Sequence, residues 1–147
     1  MIKYGSQTIN EDDINAVLTV LKSEFLTQGP VVKQFEQAIS TYSGSRHAVA
    51  VNSATSALHI ACLALGVGDG DLVWTSPNTF VASANVALLC GADIDFVDID
   101  PATYNMCPIK LETKLKVATK LNRLPKVLTV VHLAGQSCDM VAIKKLS

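Results

Sequence analysis

Between Ile9 and Leu21 the chain reads INEDDINAVLTVL, with Ile14, Val17, Leu18 and Leu21 on one side of a helical wheel. Three acids fall in the first turn, where the positive end of the helix dipole favours them. The segment TQGP then breaks the pattern. Pro30 can open a second helix, because its missing N–H is not needed in a first turn. Val31, Val32, Phe35, Ala38 and Ile39 line one face of that helix, and Gly44 closes it.

After Gly44 the pattern alternates. HAVAV, LVWTS, DIDFVDI and KVLTVVHLA are short apolar runs rich in β-branched residues, as expected of strands covered on both faces. Between and after them come TSALHIACLAL, FVASANVALLC, LETKLKVATKL and MVAIKKLS, which read as helices, the first stopped by GVGDGD and the second by Gly91. Four strands separated by helices predict successive βαβ units: an α/β fold with a mainly parallel sheet and helices on both faces. No internal repeat or linker interrupts it. The final helix should lead to another strand, so the chain reads as the N-terminal part of a longer protein, with a helical segment at 1–43 and an incomplete α/β domain at 44–147.

Composition narrows the function classes. The chain has 147 residues, of which 49% are hydrophobic and 17% charged, enough apolar material for a sizeable core and too little charge for disorder. With a formal charge of −1 and scattered basic residues, nothing forms the stripe a nucleic acid or a membrane surface would need. No apolar run approaches the roughly 20 residues that span a bilayer, and MIKYGSQTINEDD lacks the core of a secretory signal. Cys62, Cys90, Cys107 and Cys138 form no CxxC pair and read as reduced thiols of a cytoplasmic protein.

In a parallel sheet the C-terminal strand ends share one rim, where ligands of open α/β folds bind. The rim segments are Ser53-Ala-Thr-Ser56, Pro77-Asn-Thr-Phe80, Asp98-Ile-Asp100 and His132-Leu-Ala-Gly-Gln136. The first offers backbone N–H groups and hydroxyls at a helix N-terminus. It is equally readable as an anion cradle and as a plain cap by Ser53 or Thr55. Phe80 could stack on a planar ligand or anchor the helix that follows it. Asp98 and Asp100 read as turn and cap residues rather than a metal pair, and His132 as a hydrogen-bonded structural residue or a proton donor. GxSxG, GxGxxG and the Walker loop are absent, so no catalytic group is assigned.

Taken in order, four blocks resemble the DegT-type sugar aminotransferases, fold-type I enzymes dependent on pyridoxal 5'-phosphate (PLP). They are LTQGPVVKQFEQAISTYSG, HAVAVNSATSALHIACLALGVGDGD, VWTSPNTFVASANVALLCGADIDFVDIDPATYNM and VVHLAGQSCDM. NSATSAL and AGQSCDM, with Tyr4 ahead of the first helix, are most similar to the pseudaminic-acid branch. There a 4-keto-6-deoxy-N-acetyl-hexosamine linked to UDP is aminated with glutamate as donor. The resemblance implies the N-terminal part of a large PLP-binding domain, from a homodimer acting in surface polysaccharide or flagellin glycan synthesis. By position, Ser53, Ala54 and Thr55 would hold the cofactor phosphate, and Phe80 would stack on its ring. Tyr4, Glu24, Phe25, Leu26 and Thr27 would border the nucleotide-sugar site, with His132 and Gln136 close to the cofactor.

The resemblance also implies a Lys that forms the Schiff base and an Asp that keeps the pyridinium protonated. In the family both follow the block matched by SCDM, beyond Ser147. None of the lysines present suits the role: Lys126 begins a strand, Lys110, Lys114, Lys116 and Lys120 lie on a polar helical face, and Lys144 and Lys145 sit on the last helix. The chain alone is therefore expected to be inactive. Two other readings are compatible with the sequence. One is a truncated, non-catalytic relative that binds a ligand or partner. The other is a dehydratase variant with His in place of the Lys.

Overall fold

A computed structural model describes residues 5–147. The chain divides into two compact units, Met1–Ala50 and Val51–Ser147.

The first unit carries two helices. α1 (Glu11–Leu21) starts from a reciprocal capping box, in which Asn10 Oδ1 accepts the Asp13 N–H at 3.0 Å and Asp13 Oδ2 accepts the Asn10 N–H at 2.9 Å. α2 (Pro30–Ser43) has Pro30 in its first turn and Gly44 as a left-handed C-cap at φ 68°. Between them Gln28 lies at φ 54°, and a Cβ on Gly29 would meet the Phe25 Cβ at 3.0 Å, so the TQGP turn closes tightly on itself. Neither helix buries a residue, and both apolar faces are exposed.

The second unit is a three-layer sandwich. Its strands are β1 (Leu72–Thr75), β2 (Asp93–Phe96) and β3 (Val127–Thr129), all parallel and ordered β2-β1-β3. Its helices are α3 (Ala54–Ala64), α4 (Ala82–Leu89), α5 (Pro108–Lys120) and α6 (Met140–Leu146), with a short 3-10 turn at Leu133–Gly135. Every residue of β1 is buried. Successive side chains of a strand point to opposite faces, and β1 uses both. Leu72 and Trp74 pack with Leu111 and Ala118 of α5 and Ile143 of α6, whereas Val73 packs with Cys62 of α3 and with Val86 and Ala87 of α4.

Among the described residues three strands form, not four. HAVAV has strand composition but no ladder partner among the described residues, and composition alone supplies no neighbour. The Ala50 N–H is instead taken by the Glu36 carboxylate at 2.9 Å.

β2 is tied to the α5 layer by charge. Register sets Asp93 beside Leu72 and Asp95 beside Trp74. Arg123 reaches Asp93 at 2.7 Å and Lys114 reaches Asp95 at 2.6 Å, with the Lys114 Nζ 4.8 Å from the centre of the Trp74 ring. Burial pushes the Asp95 carboxyl up, but the Lys114 hydrogen bond, the Phe96 N–H and the Lys114 and Arg123 charges together hold it below its usual value. Charges on an edge strand also discourage it from pairing with another chain.

Leu111, 1% exposed in the α5 layer, tests this packing against Ile109, 75% exposed on the same helix. Leu111→Ala should cost about 2–5 kcal/mol and Ile109→Ala under about 0.5 kcal/mol, read as shifts in urea unfolding of the chain.

Candidate functional site at the strand-end rim

The turn into α3 satisfies one of its exposed helix-start donors and leaves two open. Ser53, in extended backbone, is the N-cap, and its Oγ accepts the Ser56 N–H at 3.1 Å. The Ser56 hydroxyl in turn donates to Asn52 Oδ1 at 2.7 Å and lies 3.0 Å from Ser53 Oγ. Among the described residues no acceptor meets the backbone N–H of Ala54 or Thr55. Both residues are exposed. Two free N–H groups at the positive end of an 11-residue helix attract an anion. Ser53 is thus a cap, and its cap leaves the next two donors available; the two readings of this turn are compatible.

Phe80 comes to the same place from the end of β1. Its carbonyl accepts the Ser83 N–H at 3.0 Å, fixing the residue in the entry to α4. The residue is 76% exposed, unlike an anchor packed under a helix. Thr55 and Phe80 line one open pocket of ≈ 390 Å³, with Val81, Ala82 and Asn85 forming part of its wall. Two segments 25 positions apart in sequence therefore contribute an open helix start and a free aromatic face to one cavity.

The other candidates lie elsewhere. His132 and Gln136 occupy the loop between β3 and α6 and do not line that pocket. His132 Nδ1 accepts the Cys138 N–H at 3.1 Å, so the neutral ring carries its proton on Nε2. Glu24, Phe25, Leu26 and Thr27 form the exposed turn after α1 in the first unit. Tyr4 lies outside the described residues. Asp100 Oδ1 accepts the Ala102 and Thr103 N–H groups, a turn-forming role. Asp98 pairs with Lys110, whose hydrogen bond holds the Asp98 carboxyl below its usual value. Among the described residues no group of His, Cys, Asp or Glu could hold a metal ion.

Four lysines are committed to carboxylates: Lys110 to Asp98, Lys114 to Asp95, Lys116 to Glu112 and Lys126 to Asp71. The Lys126 hydrogen bond also holds the Asp71 carboxyl below its usual value. The cysteines are free thiols, with Cys62, Cys107 and Cys138 buried, and burial pushes the Cys62 thiol up.

Two rim residues escaped the sequence reading. Ser76 follows β1 and is 2% exposed, its hydroxyl without a partner among the described residues. Asn105, 3% exposed, bonds to the loop at 133–136. The local pattern signals neither, since both depend on distant neighbours.

A doubly covered parallel sheet with an open helix start and an aromatic face at its strand ends defines an α/β ligand-binding domain. Residues 7–147 match the model of the DegT/DnrJ/EryC1/StrS aminotransferase family, and the chain belongs to that family. It is 44% identical over 142 residues to the spore coat polysaccharide biosynthesis protein SpsC of Bacillus subtilis, a match covering 97% of this chain and 35% of that protein. It is 43% identical over 148 residues to a UDP-4-amino-4,6-dideoxy-N-acetyl-beta-L-altrosamine transaminase of Campylobacter jejuni, covering 100% of this chain and 38% of the relative. Among solved structures, PseC of Helicobacter pylori, an aminotransferase of pseudaminic acid biosynthesis, superimposes with a TM-score of 0.88 at 33% identity, over 98% of this chain and 38% of that one. The PLP form of the putative sugar aminotransferase Spr1654 of Streptococcus pneumoniae gives 0.86 at 32% identity, over 99% and 36%. The chain thus spans little more than a third of the relatives it matches. The fold is that of the N-terminal portion of a fold-type I transferase.

The cap can be tested without any ligand. Ser53→Ala should lower stability by roughly 1 kcal/mol, whereas Thr55→Ala, which removes no intrachain bond, should leave it within about 0.5 kcal/mol. Urea midpoints of the two variants against the parent chain give the comparison.

Proposed function

We propose that this chain is the cofactor-phosphate-binding part of a PLP-dependent nucleotide-sugar aminotransferase. The observation that carries the reading is the pocket shared by Thr55 and Phe80, beside the unbonded N–H groups of Ala54 and Thr55. These residues fit the group. The backbone N–H groups of Ala54 and Thr55 and the hydroxyls of Ser53 and Thr55 would bind the phosphate. The Phe80 face would stack on the ring and hold its plane. Bound PLP supplies an electron sink for the carbon that exchanges its amino group. The chain's own contribution is to bind and orient. The Schiff-base Lys and the pyridinium Asp that such chemistry needs lie outside the matched blocks, so the chain by itself would be inactive.

The substrate proposed is a UDP-linked 4-keto-6-deoxy-N-acetyl-hexosamine, with glutamate as amino donor and a role in surface polysaccharide or flagellin glycan synthesis. The relatives from Campylobacter jejuni and Helicobacter pylori support this sugar class. Tyr4 and Glu24-Phe25-Leu26-Thr27 would border the nucleotide. The exposed apolar faces of α1 and α2 support assembly as a homodimer. The protein would work in the cytoplasm, where nucleotide sugars and glutamate are available; no described helix is long and apolar enough to cross a membrane.

Equilibrium dialysis of the chain with PLP and with pyridoxal lacking the phosphate checks the reading. Binding should require the phosphate and weaken about tenfold in Phe80→Ala, and borohydride should fix no lysine stoichiometrically. Equal binding of the two compounds, or stoichiometric labelling of one lysine, would contradict it.

A further inference from the structure

We infer that Asn105 is a positioning residue for His132, acting through the loop that follows β3. The carboxamide of Asn105 spans that loop. Its Oδ1 accepts the Leu133 N–H at 3.1 Å and its Nδ2 donates to the Gln136 carbonyl at 3.0 Å. One side chain thereby fastens both ends of a four-residue turn, 28 and 31 positions away in sequence.

The turn needs such a fastening. Ala134 sits at φ 52° and Gly135 at φ 82°, so two consecutive residues occupy the left-handed region, and for Ala134 that conformation costs energy. Strained backbone persists where its surroundings over-determine it. Asn105 is well placed to do so, because its own loop is fixed. The Asn105 carbonyl accepts the Asp100 N–H at 2.9 Å, the Ile99–Met106 bridge closes the loop behind it, and Met106 is 1% exposed. The clamp is therefore held in the core and applied at the rim.

His132 is the residue next to the clamped turn, and its ring completes the same structure. Its Nδ1 accepts the Cys138 N–H at 3.1 Å, while the Cys138 Sγ donates to the Val131 carbonyl at 3.1 Å. The loop is thus closed twice, once by Asn105 across 133–136 and once by His132 across 132–138. The second closure dictates the tautomer. With Nδ1 an acceptor, neutral His132 keeps its proton on Nε2 and offers one N–H donor at an exposed position on the rim. Asn supplies the donor and the acceptor that the turn demands. Asp would keep the acceptor for Leu133 and set a carboxylate oxygen against the Gln136 carbonyl.

The functional meaning of this device rests on the proposed PLP-dependent activity, in which His132 would offer its Nε2–H donor at the rim, outside the Thr55–Phe80 pocket. Its physical content does not, and the test uses the chain without PLP. Nitrogen-15 NMR of the histidine rings and amide exchange of residues 133–138 are compared among the parent chain, Asn105→Ala and Asn105→Asp. In the parent chain His132 should show a single neutral tautomer with the proton on Nε2. In Asn105→Ala the Leu133 amide should exchange about tenfold faster and His132 should become a mixture of tautomers, while β1 amides keep their protection. Asn105→Asp should retain Leu133 protection yet lose the single tautomer, and it serves as the reading if Asn105→Ala does not fold. A parent His132 protonated on Nδ1, or a His132 tautomer unchanged in both variants, would overturn the inference. Failure of PLP to bind would leave these spectra unaffected and would count only against the proposed function.

Discussion

The burial of β1 on both faces is the constraint on which the rest of the second unit depends. Val73, Trp74 and Thr75 are each no more than 1% exposed, and this is possible only because helices cover the strand from either side. Leu72 and Trp74 organise one apolar layer with α5 and α6, and Val73 organises the other with α3 and α4. A strand so enclosed has to satisfy its backbone through neighbours on both edges, which β2 and β3 provide in parallel register. Of its polar side-chain groups, the Thr75 hydroxyl donates to the Thr129 carbonyl at 3.0 Å, while the buried Trp74 Nε1–H has no partner among the described residues.

This arrangement decides where chemistry can occur. Parallel strands bring their C-terminal ends to one side, so the segments that leave them are the ones free to carry polar, exposed and strained residues. Phe80 follows β1, and the loop containing His132 follows β3. α3 packs against α4, the helix that Phe80 introduces, which brings the open start of α3 to the Phe80 ring. Opposite that rim the connections are structural. There Lys126 bonds to Asp71 at 2.7 Å and to the Gly66 carbonyl, and Asp71 accepts the Gly68 N–H, so the turn before β1 and the start of β3 are locked together.

Much of the fold was legible in sequence because it follows from periodicity. Six helices and three strands coincide with runs whose spacing is helical or whose residues are β-branched, and Pro30 and Gly44 bound α2. HAVAV failed for a reason no local pattern can supply: a strand is defined by its neighbour, and the pattern carries no information about neighbours. The site was half legible. The turn at 53–56 was ambiguous because a cap and an anion cradle use the same residues, and here Ser53 serves as one while leaving the donors for the other. Asn105 was invisible because its partners lie 28 and 31 residues away, and a buried amide has no signature of its own. Membership of the family came from four blocks in order, a kind of signal that no single turn carries.

The central claim is that the unbonded N–H groups of Ala54 and Thr55 receive a phosphate beside the Phe80 ring. Amide chemical-shift mapping during a titration with PLP addresses it most directly. The account predicts that the Ala54 and Thr55 amides shift first and saturate together with the ring resonances of Phe80. Saturable binding that moves other amides while leaving Ala54, Thr55 and Phe80 in place would contradict it.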